Sequence, residues 1–176
     1  MIRPGLRRNA GLWGLAIAVL FQMGCVGYRL GSMLPSDIRT VYVYPVMNQT
    51  DEPLIETEVT RAVIQEIQKD GSLRVVREPS EADAHLRSIL TGYALSPLAY
   101  SDARRTTTEE YRLLLTASVV LTRRGSNAIV VEVPQVSGES TFLLTGDLTS
   151  SKRTGLPDAA ADLGRRMVSS LVEAWP

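Results

Sequence analysis

Cysteine and histidine each occur once in these 176 residues, and 19 basic residues cancel 19 acidic ones. One cysteine excludes a disulfide framework and a thiolate metal cage within one chain. One histidine leaves little for a zinc site or a catalytic triad. The charge balance removes the usual electrostatic case for nucleic acid, so no nucleic-acid partner is expected. Aromatic residues make up only 6% of the chain, and no apolar run reaches the ~20 residues of a membrane-spanning helix. With 44% apolar and 22% charged residues, the remainder is an ordinary globular composition. These absences point to a binding or assembly protein rather than an enzyme, with no cofactor.

The first 24 residues form a separate object. Arg3, Arg7 and Arg8 are the only charges there, and they precede the apolar run Gly11 to Phe21. A basic start followed by a short apolar stretch is the layout of an export signal. Gly24 then precedes the single Cys25, which stands where such a signal is cut. This resembles the bacterial lipoprotein pattern, with Gln22 and Met23 in place of the usual leucine context. The resemblance implies a lipid-bearing Cys25 as the first mature residue, and Val26 after it implies the outer membrane. Several acyl chains on one residue suffice for stable anchoring. Removing residues 1–24 leaves 16 basic against 19 acidic residues, a net charge of −3.

Residues 25–39 carry glycines and a proline without periodicity and read as a lipidated tether. Residues 40–176 read as a single α/β domain. Thr40 to Met47 is β-branched and aromatic, a strand with Val41 and Val43 on one face and Tyr42 and Tyr44 on the other, both faces covered. Pro45 ends this strand or puts it near an edge. Asn48 to Pro53 is a loop in which Thr50 or Asp51 caps the following helix. Ile55, Val59, Ala62, Val63 and Ile67 then recur at helical spacing from Leu54 to Lys69, and Gly71 ends the run. Leu73 to Arg77 is a short strand that completes a strand–helix–strand crossover unit.

Ala84 to Leu95 reads as a strand, and Ser96 to Thr107 as a loop. Tyr111, Leu113, Leu115, Ala117, Val119 and Leu121 alternate with Arg112, Leu114, Thr116, Ser118, Val120 and Thr122. One face is apolar and the other mixed and hydroxyl-bearing, the pattern of a sheet covered on one side. Arg123 to Asn127 is a hairpin turn. The return strand starts at Ile129, is interrupted at Pro134, bulges at Gly138 and resumes over Thr141 to Leu144. Asp147 to Gly155 reads as polar loop, and Pro157 opens a helix to Ala174 with the stripe Ala160, Leu163, Met167, Leu171, Ala174. The fold expected is α+β: a two-layer sandwich with two helices on one face of a mixed, mainly antiparallel sheet of four to five strands.

Catalytic chemistry finds little purchase. His85 lies beside Asp83, but no G-x-S-x-G turn is present. Glu56 and Glu58 do not share a helix face, and Glu109 and Glu110 point to opposite faces of a strand. Asn48-Gln49-Thr50 matches a glycosylation sequon, yet a capping role suits it better than a sugar. The basic doublets Arg104–Arg105, Arg123–Arg124 and Lys152–Arg153 all fall in expected turns or loops. Solvated loop charge is the simpler reading; contact with anionic lipid phosphate is the functional one.

The chain resembles the LptE family of lipopolysaccharide-assembly lipoproteins. The residues that carry the likeness are Cys25 to Leu30 (CVGYRL), Leu34 to Thr50 (LPSDIRTVYVYPVMNQT), the helix bearing Glu56 and Thr60, Ala82 to Leu86 (ADAHL), Glu110 to Leu121 (EYRLLLTASVVL) and a last helix ending in Trp175. The resemblance implies a non-enzymatic, lipid-anchored protein on the periplasmic side of the outer membrane. It would partner and plug a large LptD-like β-barrel, aid the barrel's assembly and assist lipopolysaccharide transport to the outer leaflet. A hydroxyl-bearing sheet face suits a polar lumen. The stretch from Val41 to Val76 also resembles periplasmic scaffold and activator lipoproteins of the LpoB, CsgG and TolB N-terminal kind. That alternative implies a different partner.

Overall fold

A computed structural model describes residues 34–100 and 108–173. Cys25, Arg104 and Arg105 lie outside the described residues. Six strands and two long helices are described: β1 (Thr40–Val43), β2 (Met47–Asn48), α1 (Ile55–Asp70), β3 (Arg74–Val75), β4 (Ala84–Tyr100), β5 (Thr108–Arg123), β6 (Ile129–Leu143) and α2 (Leu148–Val172). One 3-10 turn, Pro79–Glu81, precedes β4. The sheet order is β3-β1-β4-β5-β6, with β2 paired to β4. β1 runs parallel to β3 and β4, while β4, β5 and β6 are antiparallel. The expected mixed sheet with two helices on one face is observed, with one strand more than the four to five expected.

β1 and β2 are one strand interrupted. Val43 pairs with Leu86 and Met47 with Ile89, four steps against three on β4. The extra residue falls around Pro45, which cannot donate to a ladder. Val41 and Val43 are buried, whereas Tyr42 and Tyr44 stay half-exposed on the open face, so only one face of this strand is covered. The best-patterned strand behaves as its alternation predicts. Leu113, Leu115, Ala117, Val119 and Leu121 of β5 are fully buried, and Leu114, Thr116, Ser118, Val120 and Thr122 are half-exposed.

Bulges re-aim the long strands. In β4 the register slips between Leu90 and Gly92. Ala84, Leu86, Ser88 and Leu90 therefore face the core before the slip, and Tyr93 and Leu95 after it. This strand runs on to Tyr100, through Pro97, where a loop was expected. β6 slips twice, between Ile129 and Val131 and between Val133 and Val136, at Pro134–Gln135, and not at Gly138. Gly138 has another use: a Cβ there would collide with the Leu163 backbone nitrogen. α2 thus rides directly on β6, a packing that no other residue permits.

α2 begins at Leu148, nine residues before the expected start at Pro157. Asp147 caps it, its Oδ1 accepting from the Ser150 N–H at 2.9 Å. Pro157 sits inside the helix, so the carbonyl of Arg153 loses its helical donor. Ala159, Ala160, Leu163, Met167 and Leu171 are buried against the sheet and α1. Gly164 is the crossing point, where a Cβ would meet the Ala62 carbonyl carbon at 3.0 Å. α1 ends at Gly71, φ 77°, as its sequence predicts, but its start differs. Leu54, φ 68°, is the residue before the helix, and neither Thr50 nor Asp51 caps it.

α2 also guards the free edge of β6. Asp162 Oδ2 accepts the Glu139 N–H at 3.1 Å, and Pro134 has no N–H to offer. An added strand would find this edge partly occupied.

Candidate functional site

Tyr93 turns inward after the β4 bulge and meets the beginnings of both helices. A groove of about 370 Å³ opens there, walled by Glu52, Leu54, Ile55 and Glu58 on one side and by Lys152, Arg153, Leu156 and Pro157 on the other. Its floor and lip are apolar, and its rim carries two acids and two bases. Leu54 stands 75% exposed at the lip because its left-handed backbone turns it away from the core.

Local hydrogen bonds shape the loop that supplies Glu52. Asn48 Oδ1 accepts from the Thr50 N–H at 2.9 Å and from the Thr50 hydroxyl at 2.8 Å. Asn48 Nδ2 donates to the Glu52 carbonyl at 2.8 Å and to Glu56 Oε2 at 3.1 Å. The sequon is therefore a turn that braces the approach to α1. On the opposite wall, the buried Ser151 hydroxyl donates to the Asp147 carbonyl at 3.0 Å and accepts the Thr145 N–H at 3.0 Å. This fixes the first turn of α2.

Across the groove, Lys152 Nζ lies 2.9 and 2.8 Å from the two carboxylate oxygens of Glu52. The same ammonium sits 6.0 Å from the centre of the Tyr93 ring. Both side chains of the pair are about a quarter exposed, at 25% and 26%. Burial, and then the Glu52 carboxylate nearby, push the Tyr93 phenol up to about 12. It stays a neutral donor at any ordinary pH. Glu58 is engaged by Arg61. Arg153 is exposed and has no ion pair with any described residue.

The basic doublets separate. Lys152 and Arg153 belong to the first turns of α2 and not to a loop, because Asp147 starts that helix early. Arg123 is the last residue of β5 and is paired with Asp37; Arg124, in the turn, donates to the Ser80 carbonyl at 2.8 Å. Arg123 pairs with Ala84 and Leu115 with Tyr93, so the doublets stand eight β5 residues apart, roughly 27 Å. One small headgroup cannot touch both. Nothing in the sequence singled out Asn48, Glu52 or Tyr93 for this groove.

His85 and Asp83 do not act together. Asp83 Oδ2 accepts from the Arg39 and Thr40 N–H groups and the Thr40 hydroxyl, at 3.0, 2.9 and 2.8 Å. His85 Nε2 lies 3.0 Å from the Pro79 carbonyl, and its ring packs edge-on to Tyr44 at 5.7 Å. Among the described residues, no three His, Cys, Asp or Glu side chains converge as a metal site.

Comparison with known proteins decides the family. The model of the LptE family, described as lipopolysaccharide-assembly, matches residues 38–173. That span takes in both helices, the whole sheet and the groove.

The chain belongs to the LptE family.

No curated protein sequence matches this LptE-family chain. Solved structures share its fold at low identity. A Xanthomonas campestris protein aligns with a TM-score of 0.55 at 8% identity, over 77% of this chain and 84% of its own. A minor lipoprotein from Acinetobacter baumannii gives 0.51 at 8%, over 78% and 94%. PelC from Paraburkholderia phytofirmans, a dodecamer, gives 0.50 at 13%, over 80% and 94%. These likenesses concern the fold alone, and a shared fold does not carry a shared function.

Proposed function

We propose that this LptE-family chain is a lipid-anchored outer-membrane protein that faces the periplasm and works by docking rather than by catalysis. In this reading Cys25 carries the lipid. The two-layer body partners and plugs a large LptD-like β-barrel, assists its assembly and helps lipopolysaccharide reach the outer leaflet. The family match across residues 38–173 is the observation that carries it. The open sheet face supports it. Thr116 and Ser137 share a hydrogen bond there at 3.1 Å, and Ser118 and Thr122 lie further along the same face of β5, a surface suited to a polar lumen.

The groove between the helix starts supports a lipopolysaccharide contact. Lys152 and Arg153 offer cationic donors to phosphate beside apolar walls of Ile55, Leu156 and Pro157. Arg123 and Arg124 are weaker candidates because both are already bonded within the fold. Arg104 and Arg105 remain candidates from sequence. Depletion of the protein in its native cell tests the role: newly made lipopolysaccharide should accumulate in the inner membrane and fall at the cell surface. Unchanged surface lipopolysaccharide together with a defect in peptidoglycan synthesis would favour the scaffold alternative.

A further inference from the structure

We propose that Glu52 is a latch on the groove. It holds Lys152 until the phosphate of a lipopolysaccharide headgroup displaces it, and so sets the groove's selectivity for phosphorylated amphiphiles. The proposal rests on the reading of the groove as a lipopolysaccharide contact.

The rim carries four charges, and three are already committed. Glu58 is held by Arg61, and Lys152 by both oxygens of Glu52. Arg153 alone has no ion pair with a described residue. An arriving phosphate therefore finds Arg153 first and has Lys152 one residue away on the same helix. Lys152 offers three N–H donors that suit a phosphate as well as a carboxylate. A neutral sugar or an acyl chain has no charge with which to compete for it.

The pair is built to part. Both partners are about a quarter exposed, so water screens their attraction and the exchange is easy. The Glu52 backbone is held independently, its carbonyl accepting from Asn48 Nδ2 at 2.8 Å, so the carboxylate is free to swing out while the loop stays folded. In the ligand-free groove the latch keeps Lys152 from facing water unpaired and lowers attraction for small anions. It also keeps the lysine near the Tyr93 ring, poised over the site.

The test uses the full mature chain in a neutral detergent. Diphosphoryl lipid A and the same lipid after dephosphorylation are titrated against wild type, Glu52→Gln, Lys152→Gln and the double variant. Glu52→Gln should tighten the phosphorylated lipid about two- to fivefold, the scale of a partly exposed ion pair, and leave the dephosphorylated lipid unchanged. Lys152→Gln should weaken the phosphorylated lipid, and adding Glu52→Gln to it should restore nothing. Tightening of both lipids alike, or tightening that persists without Lys152, overturns the latch. If Lys152→Gln weakens binding but Glu52→Gln does not tighten it, the latch fails and the groove reading stands. If no variant binds either lipid, both fall. Circular dichroism confirms that each variant is folded.

Discussion

Thr40 and Asp83 bond one another in both directions. The Asp83 carboxylate accepts from the Thr40 N–H and hydroxyl, and the Thr40 hydroxyl and carbonyl accept from the Asp83 N–H at 2.8 and 3.1 Å. This clamp fixes β1 against the start of β4 and sets the parallel register of Val41 with Ala84. It also explains why Asp83 does not serve His85.

The clamp predicts a specific acid sensitivity. The Thr40 hydroxyl, and then the Arg39 N–H, hold the Asp83 carboxyl below the usual carboxylate range. Its contribution to stability is complete above the unfolded value, about 3.9, and is lost as pH falls through the lower folded value. Asp83→Asn should cost about 1–2 kcal/mol at pH 7 and flatten the fall in stability below about pH 4. Thermal unfolding of both proteins across pH 2 to 7 (a range chosen to bracket roughly both carboxyl values) reads both effects.

Gly138→Ala should be more damaging than Gly71→Ala. At Gly138 the new methyl collides with the Leu163 backbone, so α2 must lift from β6, at a cost of about 3 kcal/mol or more. At Gly71 nothing lies within 4 Å of the new Cβ, and only the positive φ is strained, at about 1 kcal/mol. Urea unfolding ranks the two.

Ser151 is 1% exposed and braces the start of α2 through Thr145 and Asp147. Ser151→Ala leaves the Thr145 N–H without its partner and should cost about 1–3 kcal/mol. Hydrogen exchange should show faster opening of the first turns of α2 and leave β5 protected.

Lys152→Gln combined with Arg153→Gln should lower lipopolysaccharide affinity and the steepness of its salt dependence, because the proposed contact loses both of its cations. Lys69→Gln, in the last turn of α1 and away from the groove, serves as the control and should change neither.

Cys25→Ser should move the mature protein from the membrane fraction to the soluble one, since the proposal makes acyl chains on that residue the anchor. Fractionation followed by intact-mass measurement reads it. A wild-type protein that stays soluble with a free thiol contradicts the anchor.

Periodicity carried the fold reading where a strand or helix has a single buried face. β5 alternates cleanly because the helices cover one side only, and the stripe Ile55, Val59, Val63, Ile67 follows α1 closely. The misjudged positions are those where backbone chemistry overrides pattern. Pro157 suits a helix start because proline favours that place, yet the Asp147 cap and the Ser151 network begin α2 earlier. The bulge after Leu90 swaps the inward face of β4, which the alternation of that stretch could not anticipate. The groove was half visible. Lys152 and Arg153 stood out as a basic pair, but Glu52 lies one hundred residues from Lys152 in the chain and carries no local signature.

The proposed role turns on docking onto a large outer-membrane barrel. Cross-linked isolation of the natural, lipid-bearing protein from its own envelope, with mass spectrometry of what it holds, tests this most directly. A single large β-barrel recovered in near-equal amount, together with lipopolysaccharide, is the predicted result. Recovery of the protein alone, or with a peptidoglycan synthase in place of a barrel, would contradict it.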